Sequence, residues 1–135
     1  RNLDAYAALG ARVLPDRWPG CPGPFAGVVT LLSELRHDSL ITLPVDVAAV
    51  PQELLRRMVA VETDTLLEVV LARDDDGLQP LVARYPRALA AHALETFEAG
   101  GRSVRAWQHR FPVHPCDFPG WRFGNINTPE DLEAQ

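Results

Sequence analysis

Apolar residues return at Val28, Leu31, Leu32 and Leu35, the spacing of one helical face. They follow a stretch from Asp16 to Pro24 so dense in Pro and Gly that it must be a loop. The run Leu40-Ile41-Thr42-Leu43-Pro44-Val45 is compact and apolar, suited to a buried parallel strand, and it stops at Asp46. Pro51 opens a helix whose inner face is predicted to carry Leu54, Leu55, Met58 and Val59. Thr65 to Ala72 reads as a strand, Asp74-Asp75-Asp76-Gly77 as a turn, and Leu81 to Tyr85 as a strand pairing back. A helix over 87–99, with Ala90, Ala93, Leu94 and Phe97 inward, is stopped by Gly100-Gly101. Ser103 then caps a short helix bearing Val104 and Trp107. A short strand at Ala11–Leu14 and a helix start at Thr128-Pro129-Glu130-Asp131 complete the pattern. Strands alternating with helices predict a single α/β domain with a mostly parallel sheet flanked by helices.

The bulk numbers narrow the function more than the fold. Apolar residues make up 47% of the 135, enough for a core in a single domain. Thirteen basic against eighteen acidic side chains leave a net charge of −5 with no long run of one sign. Nucleic acid and anionic membrane reward clustered Lys and Arg, so neither is expected as the main partner. A nucleotide stays possible, because backbone N–H groups and a few Arg hold an anion locally. Cys21 and Cys116 are too few for a disulfide scaffold and form no zinc pattern; His114-Pro115-Cys116 offers two ligands where zinc takes four. With no apolar run of membrane-spanning length and no signal peptide, a cytoplasmic setting is the expectation. The opening Arg1 to Gly10 reads as the end of a helix running into a Gly stop, so sequence upstream is expected.

Four places carry candidate chemistry. Asp46 lies just past a strand's carboxyl end, where open α/β sheets hold ligands, and a lone carboxylate there suits Mg²⁺ with its waters and substrate phosphates; a plain turn Asp is the alternative. The loop Pro22-Gly23-Pro24-Phe25-Ala26-Gly27 leads into a helix N-terminus that can meet a phosphate, although a tight loop-to-helix entry uses the same residues. It is neither a Walker A loop nor GxGxxG. Asn125 and Asn127 alternate, so both amides face one side and can read a heterocycle edge, or simply serve as turn residues. Arg102 can contact a phosphate, or mark a helix stop beside the helix start at Ser103. Nucleophilic catalysis finds no footing: there is no GxSxG elbow and no His with a convincing Ser or Cys partner.

The order of these pieces is more specific than any one of them. Pro22 to Gly27, then Asp46, Leu78-Gln79-Pro80-Leu81, Ala99-Gly100-Gly101-Arg102-Ser103-Val104 and Phe123-Gly124-Asn125-Ile126-Asn127-Thr128-Pro129-Glu130-Asp131-Leu132 together resemble the molybdenum-cofactor guanylyltransferase family. The resemblance covers essentially the whole chain. It implies a Rossmann-like nucleotidyltransferase fold of the nucleotide-diphospho-sugar transferase type, with residues 1–135 as the C-terminal portion of one domain. It also implies transfer of GMP from GTP to molybdopterin, with Mg²⁺ as cofactor. By similarity Asp46 is the catalytic, metal-binding and GTP-binding acid, and Asp16 also contacts GTP. Gly23, Pro24, Gly27, Asn125 and Asn127 match the molybdopterin side. Arg102, Gln79 and Pro80 fall in family motifs, Arg102 as a possible phosphate contact. Val45-Asp46-Val47-Ala48 departs from the family's common Cys-Asp-x-Pro but keeps the acid. The family's opening LAGGxSxRMGxDK-type loop has no counterpart in these residues. A related cytidylyl or sugar nucleotidyltransferase and a non-catalytic pterin-binding module are the competing functions, and molybdoenzymes or their chaperones are expected partners of the main one.

Overall fold

The computed structural model describes residues 10, 12–20, 23–47 and 49–124. In chain order these form α1 (Pro24–Ser33), β1 (Ser39–Thr42), α2 (Leu54–Ala60), β2 (Val69–Asp74), β3 (Gly77–Pro86), α3 (Ala90–Glu98), α4 (Val104–Gln108) and β4 (Val113–Asp117). A 3₁₀ turn at Arg87–Leu89 leads into α3.

The sheet has the order β1-β3-β2-β4 and is mixed, not mostly parallel as the alternation of elements predicts. β3 runs antiparallel to both β1 and β2, whereas β2 and β4 are parallel. The tight turn at Asp74–Gly77 is the reason: a two-residue connection with Gly77 at φ +117° can only return the chain antiparallel. It follows that β1, β2 and β4 all point the same way, and their carboxyl ends share one edge of the sheet.

β2 is buried on both faces, and its alternation divides the core. Val69 and Leu71 face a layer of α1, α3 and α4, while Val70 and Ala72 face α2 and the segment after β4. The first layer centres on Trp107, whose ring lies 5.2 Å from Phe25 and 5.4 Å from Tyr85 by centroid. Its indole N–H donates to His92 Nδ1 (3.0 Å), which makes this His a partner of the core. The second layer collects Leu54, Met58, Cys116, Phe118 and Phe123.

The register breaks where Leu71 pairs with Ala83 but Ala72 pairs with Gln79, which leaves Pro80, Leu81 and Val82 as a bulge on β3. Pro80 has no N–H to give a ladder, so a bulge is where a strand tolerates it. Its carbonyl accepts from Gln108 Nε2 (2.7 Å) and Tyr85 Oη (3.2 Å) instead. Burial pushes the Tyr85 phenol well above its ordinary pKa, and its side-chain hydrogen bond with Gln108 offsets only part of that rise.

Several boundaries differ from the sequence pattern. β1 stops at Thr42, and Leu43-Pro44 continues as loop because Pro44 cannot donate to a ladder. β2 begins at Val69, the preceding 64–67 being turn, and β3 starts as early as Gly77. Residues 12–16 form no strand. On α2 only Leu54 and Met58 are buried; Leu55 and Val59 are exposed, since a seven-residue helix presents one narrow stripe to the sheet.

Helix α3 ends at Gly100, φ +94°, whose N–H donates to Phe97 O (3.0 Å) while the Gly101 N–H donates to Thr96 O (2.9 Å). A Cβ on Gly101 would stand 2.8 Å from that same carbonyl oxygen. Gly101→Ala should therefore lower stability by about 1–3 kcal/mol, read as a fall in thermal midpoint; an unchanged midpoint would show that the cap relaxes freely.

Candidate functional site

Helix α1 starts at a glycine for a conformational reason. Gly23, the residue before its first turn, has φ +95°, a region that penalises any side chain, and Pro24 fills the first helical position. No side chain caps this end; Pro24 has no N–H, the Ala26 N–H donates to Gly23 O (3.2 Å), and Phe25 and Ala26 are buried, so what the turn contributes is the positive end of the helix dipole. One turn on, Gly27 sits inside the helix, and a Cβ built there would meet nothing within 4 Å. Packing therefore does not require glycine at 27.

That empty space belongs to an open groove of about 500 Å³. Pro24, Gly27, Val28 and Leu31 of α1 form one wall; Thr42, the loop Leu43 to Asp46, and Leu81 from the β3 bulge form the other. Thr42 Oγ1 donates to Leu81 O (2.9 Å) and ties the two strands across the floor. Asp46 is exposed and is the carboxylate of a groove whose other lining residues are apolar or neutral. Sequence reasoning placed Asp46 and Gly23-Pro24-Gly27 in separate motifs; the fold brings Pro24 and Gly27 to the groove that Asp46 lines, while Gly23 precedes the helix without lining it.

The remaining candidates are placed as follows. Asp16 is exposed in the loop before α1 and does not line the groove. Arg102 donates from Nη1 to Phe97 O (2.7 Å) and Gly101 O (2.8 Å) and lies 4.1 Å over the Phe97 ring, closing the end of α3. The helix-stop reading of that motif accounts for these contacts. Asn125 and Asn127 lie outside the described residues. Among the described residues no three His, Cys, Asp or Glu come together as a metal-holding group, and no helix is long and apolar enough to cross a membrane. A single open carboxylate is nonetheless the donor set that suits Mg²⁺, which keeps waters and takes phosphate oxygens from its substrate.

Sequence reasoning missed the polar centre at Asp74. Its Oδ1 accepts from the Asp76 N–H (2.9 Å) and Gln79 Nε2 (2.9 Å), and its Oδ2 from the Phe123 N–H (2.7 Å). The three-acid run read only as a turn, and nothing in the local pattern distinguishes the first Asp, which is buried, from the next two. The motif position of Gln79 was the available signal.

An acid beyond the carboxyl end of edge strand β1, in a groove walled by a helix entered through glycine, is consistent with the nucleotide-handling class of open α/β sheets. Residues 1–119 match the model of the MobA-like NTP transferase domain, and the chain belongs to that family. It is 34% identical over 135 residues to a molybdenum cofactor guanylyltransferase of Shewanella loihica, covering 98% of this chain and 69% of the relative. A protein of the same name from Shewanella sp. strain MR-4 is 35% identical, with 98% and 68% covered. Among solved structures, a protein of Aquifex aeolicus VF5 superimposes with a TM-score of 0.80 at 18% identity, over 94% of this chain and 68% of that one. Molybdopterin-guanine dinucleotide biosynthesis protein A from Archaeoglobus fulgidus does so at 0.68 and 21%, over 97% and 69%. These two likenesses establish the fold.

Two measurements probe this geometry. Gly27→Ala should stabilise the protein by up to about 1 kcal/mol, because glycine inside a helix costs that much and the new methyl enters open space; a lower thermal midpoint would contradict the open wall. For Asp74, burial pushes the carboxyl up, but the hydrogen bonds from Phe123, Gln79, Asp76 and Gly77 outweigh it and hold the pKa below the ordinary value. Its stabilisation is then complete above the unfolded pKa of about 4 and is lost as pH falls through the lower folded value. Urea midpoints of the wild type should decline over that acid range, and Asp74→Asn should flatten the decline; parallel profiles would remove Asp74 as the cause.

Proposed function

We propose that this protein transfers GMP from GTP to molybdopterin, forming the guanine dinucleotide form of the molybdenum cofactor. The observation that carries the reading is the meeting of Asp46 with Pro24 and Gly27 around one groove. Membership of the MobA-like NTP transferase family and the names of relatives about a third identical support the same chemistry. A terminal phosphate oxygen of molybdopterin attacks the α-phosphorus of GTP, the bond to the β-phosphate oxygen breaks, and pyrophosphate leaves.

Such a transfer asks little covalent help from protein; positioning and charge neutralisation lower the barrier. Asp46 would hold Mg²⁺, which supplies positive charge to phosphate oxygens. Asp16 contributes a second acid on the GTP side. The positive end of the α1 dipole favours an anion, and the side-chain-free wall at Gly27 leaves room for a flat ring system beside it. Asn125 and Asn127 complete the pterin side. The apolar character of Val28, Leu31 and Leu81 removes water from the ligand's faces and strengthens the electrostatics within. In this reading the product passes to molybdoenzymes or their chaperones in the cytoplasm.

The test follows dinucleotide formation by chromatography in the complete protein, with GTP and molybdopterin supplied. Asp46→Ala should lower the rate by about 100-fold or more while the thermal midpoint stays unchanged, since the side chain is exposed. Near-normal turnover in that variant would remove Asp46 from the reaction, and preferential use of CTP over GTP would replace this reading with cytidylyl transfer.

A further inference from the structure

The bulge on β3 is held by side chains from three elements. The Pro80 carbonyl accepts from Gln108 Nε2 of α4 (2.7 Å) and from Tyr85 Oη of β3 itself (3.2 Å). The Leu81 carbonyl accepts from Thr42 Oγ1 of β1 (2.9 Å). Gln108 Nε2 also donates to Tyr85 Oη (2.6 Å), so both donors of this one amide are spent around the bulge. Residues 80–82 pair in register with neither β1 nor β2. Side-chain donors, and not ladder bonds, therefore decide where they stand.

Gln108 is 1% exposed, and its Oε1 has no hydrogen-bond partner among the described residues. A buried acceptor without a donor costs stability, and an apolar side chain of the same length would avoid that cost. Turning the amide over gives no relief, because the Pro80 carbonyl can only accept and would then face another oxygen. The amide is thus arranged for its N–H groups and leaves its oxygen unserved. Val104 and Trp107 of the same helix are buried in the layer shared with α1 and α3, which fixes the mount from which Gln108 reaches the bulge.

What the amide holds reaches the groove. Leu81 is half-buried, packed on the core at one side and lining the wall opposite Gly27 at the other, and Thr42 lies on the floor between them. Gln108 does not line the groove. We infer that Gln108 is a positioning residue for this site: through the Pro80 carbonyl it sets how far Leu81 stands from the α1 wall, and with it the room for the flat face of the pterin. It touches no substrate. The inference rests on the proposed reading of the groove as the molybdopterin side, and it gives the Pro80-Leu81 motif a part in that site.

Steady-state kinetics on the complete protein provide the test, with Leu81→Ala as reference and molybdopterin and GTP varied separately. Gln108→Met keeps the length of the side chain and removes both donors together with the unpartnered oxygen. It should raise the KM for molybdopterin about fivefold and leave kcat and the KM for GTP within about twofold, a split that loss of folded protein does not produce. Leu81→Ala should raise the same KM, and the double variant should go little beyond the larger single change, because residues acting through one another are not additive. Tyr85→Phe removes one of the two donors on Pro80 and should give the same split in smaller measure, a result that decides the matter even if Gln108→Met fails to fold. An unchanged molybdopterin KM in the folded variants, equal rises for both substrates, or multiplying effects in the double variant, while Leu81→Ala does raise that KM, would overturn the role of Gln108 alone. No effect from Leu81→Ala would overturn the groove as the molybdopterin side, and the role of Gln108 with it.

Discussion

Double-sided burial of β2 is the constraint on which the rest of this molecule depends. Val69 and Leu71 close one layer and Val70 and Ala72 the other, so the strand can neither slip by one residue nor be approached by water without opening both cores. The helices attach to what β2 presents: α1, α3 and α4 on one side, α2 on the other. Because the strand ends at Asp74, it also determines where polar groups can first appear, at the carboxyl edge shared with β1 and β4.

The site follows from that edge. Asp46 emerges past β1 and α1 enters beside it through Gly23, while the bulge at Pro80–Val82 swings Leu81 into the groove wall. The same bulge frees the Pro80 carbonyl for Gln108 and Tyr85, so one irregularity serves the buried polar network and the groove together. A regular ladder through residues 79–83 would have neither. The groove's charge is sparse by comparison: one open acid and a helix end, set among apolar side chains. That is a surface made for a charged ligand that brings most of its own polarity.

Polar groups in this fold separate into two kinds. Asp46 is exposed and free to meet a ligand. Asp74 is enclosed and fully engaged by protein donors, and Arg102 spends its guanidinium on helix-end carbonyls. All three sit in motifs that read as functional or as turns, and only their surroundings tell them apart.

Whereas β1 stops at Thr42, four residues before Asp46, and α1 buries Phe25 and Val29 in place of Leu31, the sequence by itself determined the elements whose signals are local: the turn at Asp74–Gly77, the stop at Gly100-Gly101 and the Ser103 cap. Such features depend on φ preference, hydrophobic spacing and short-range hydrogen bonding, all of which act within a few residues. Tertiary structure alone decided that the sheet is mixed, that Leu55 and Val59 stay outside, and that the acids of one turn reach 45 to 49 residues along the chain to hold residues 120–123. Strand direction and side-chain partnership across such separations are set by which faces can be buried together, and no run of neighbouring residues carries that information.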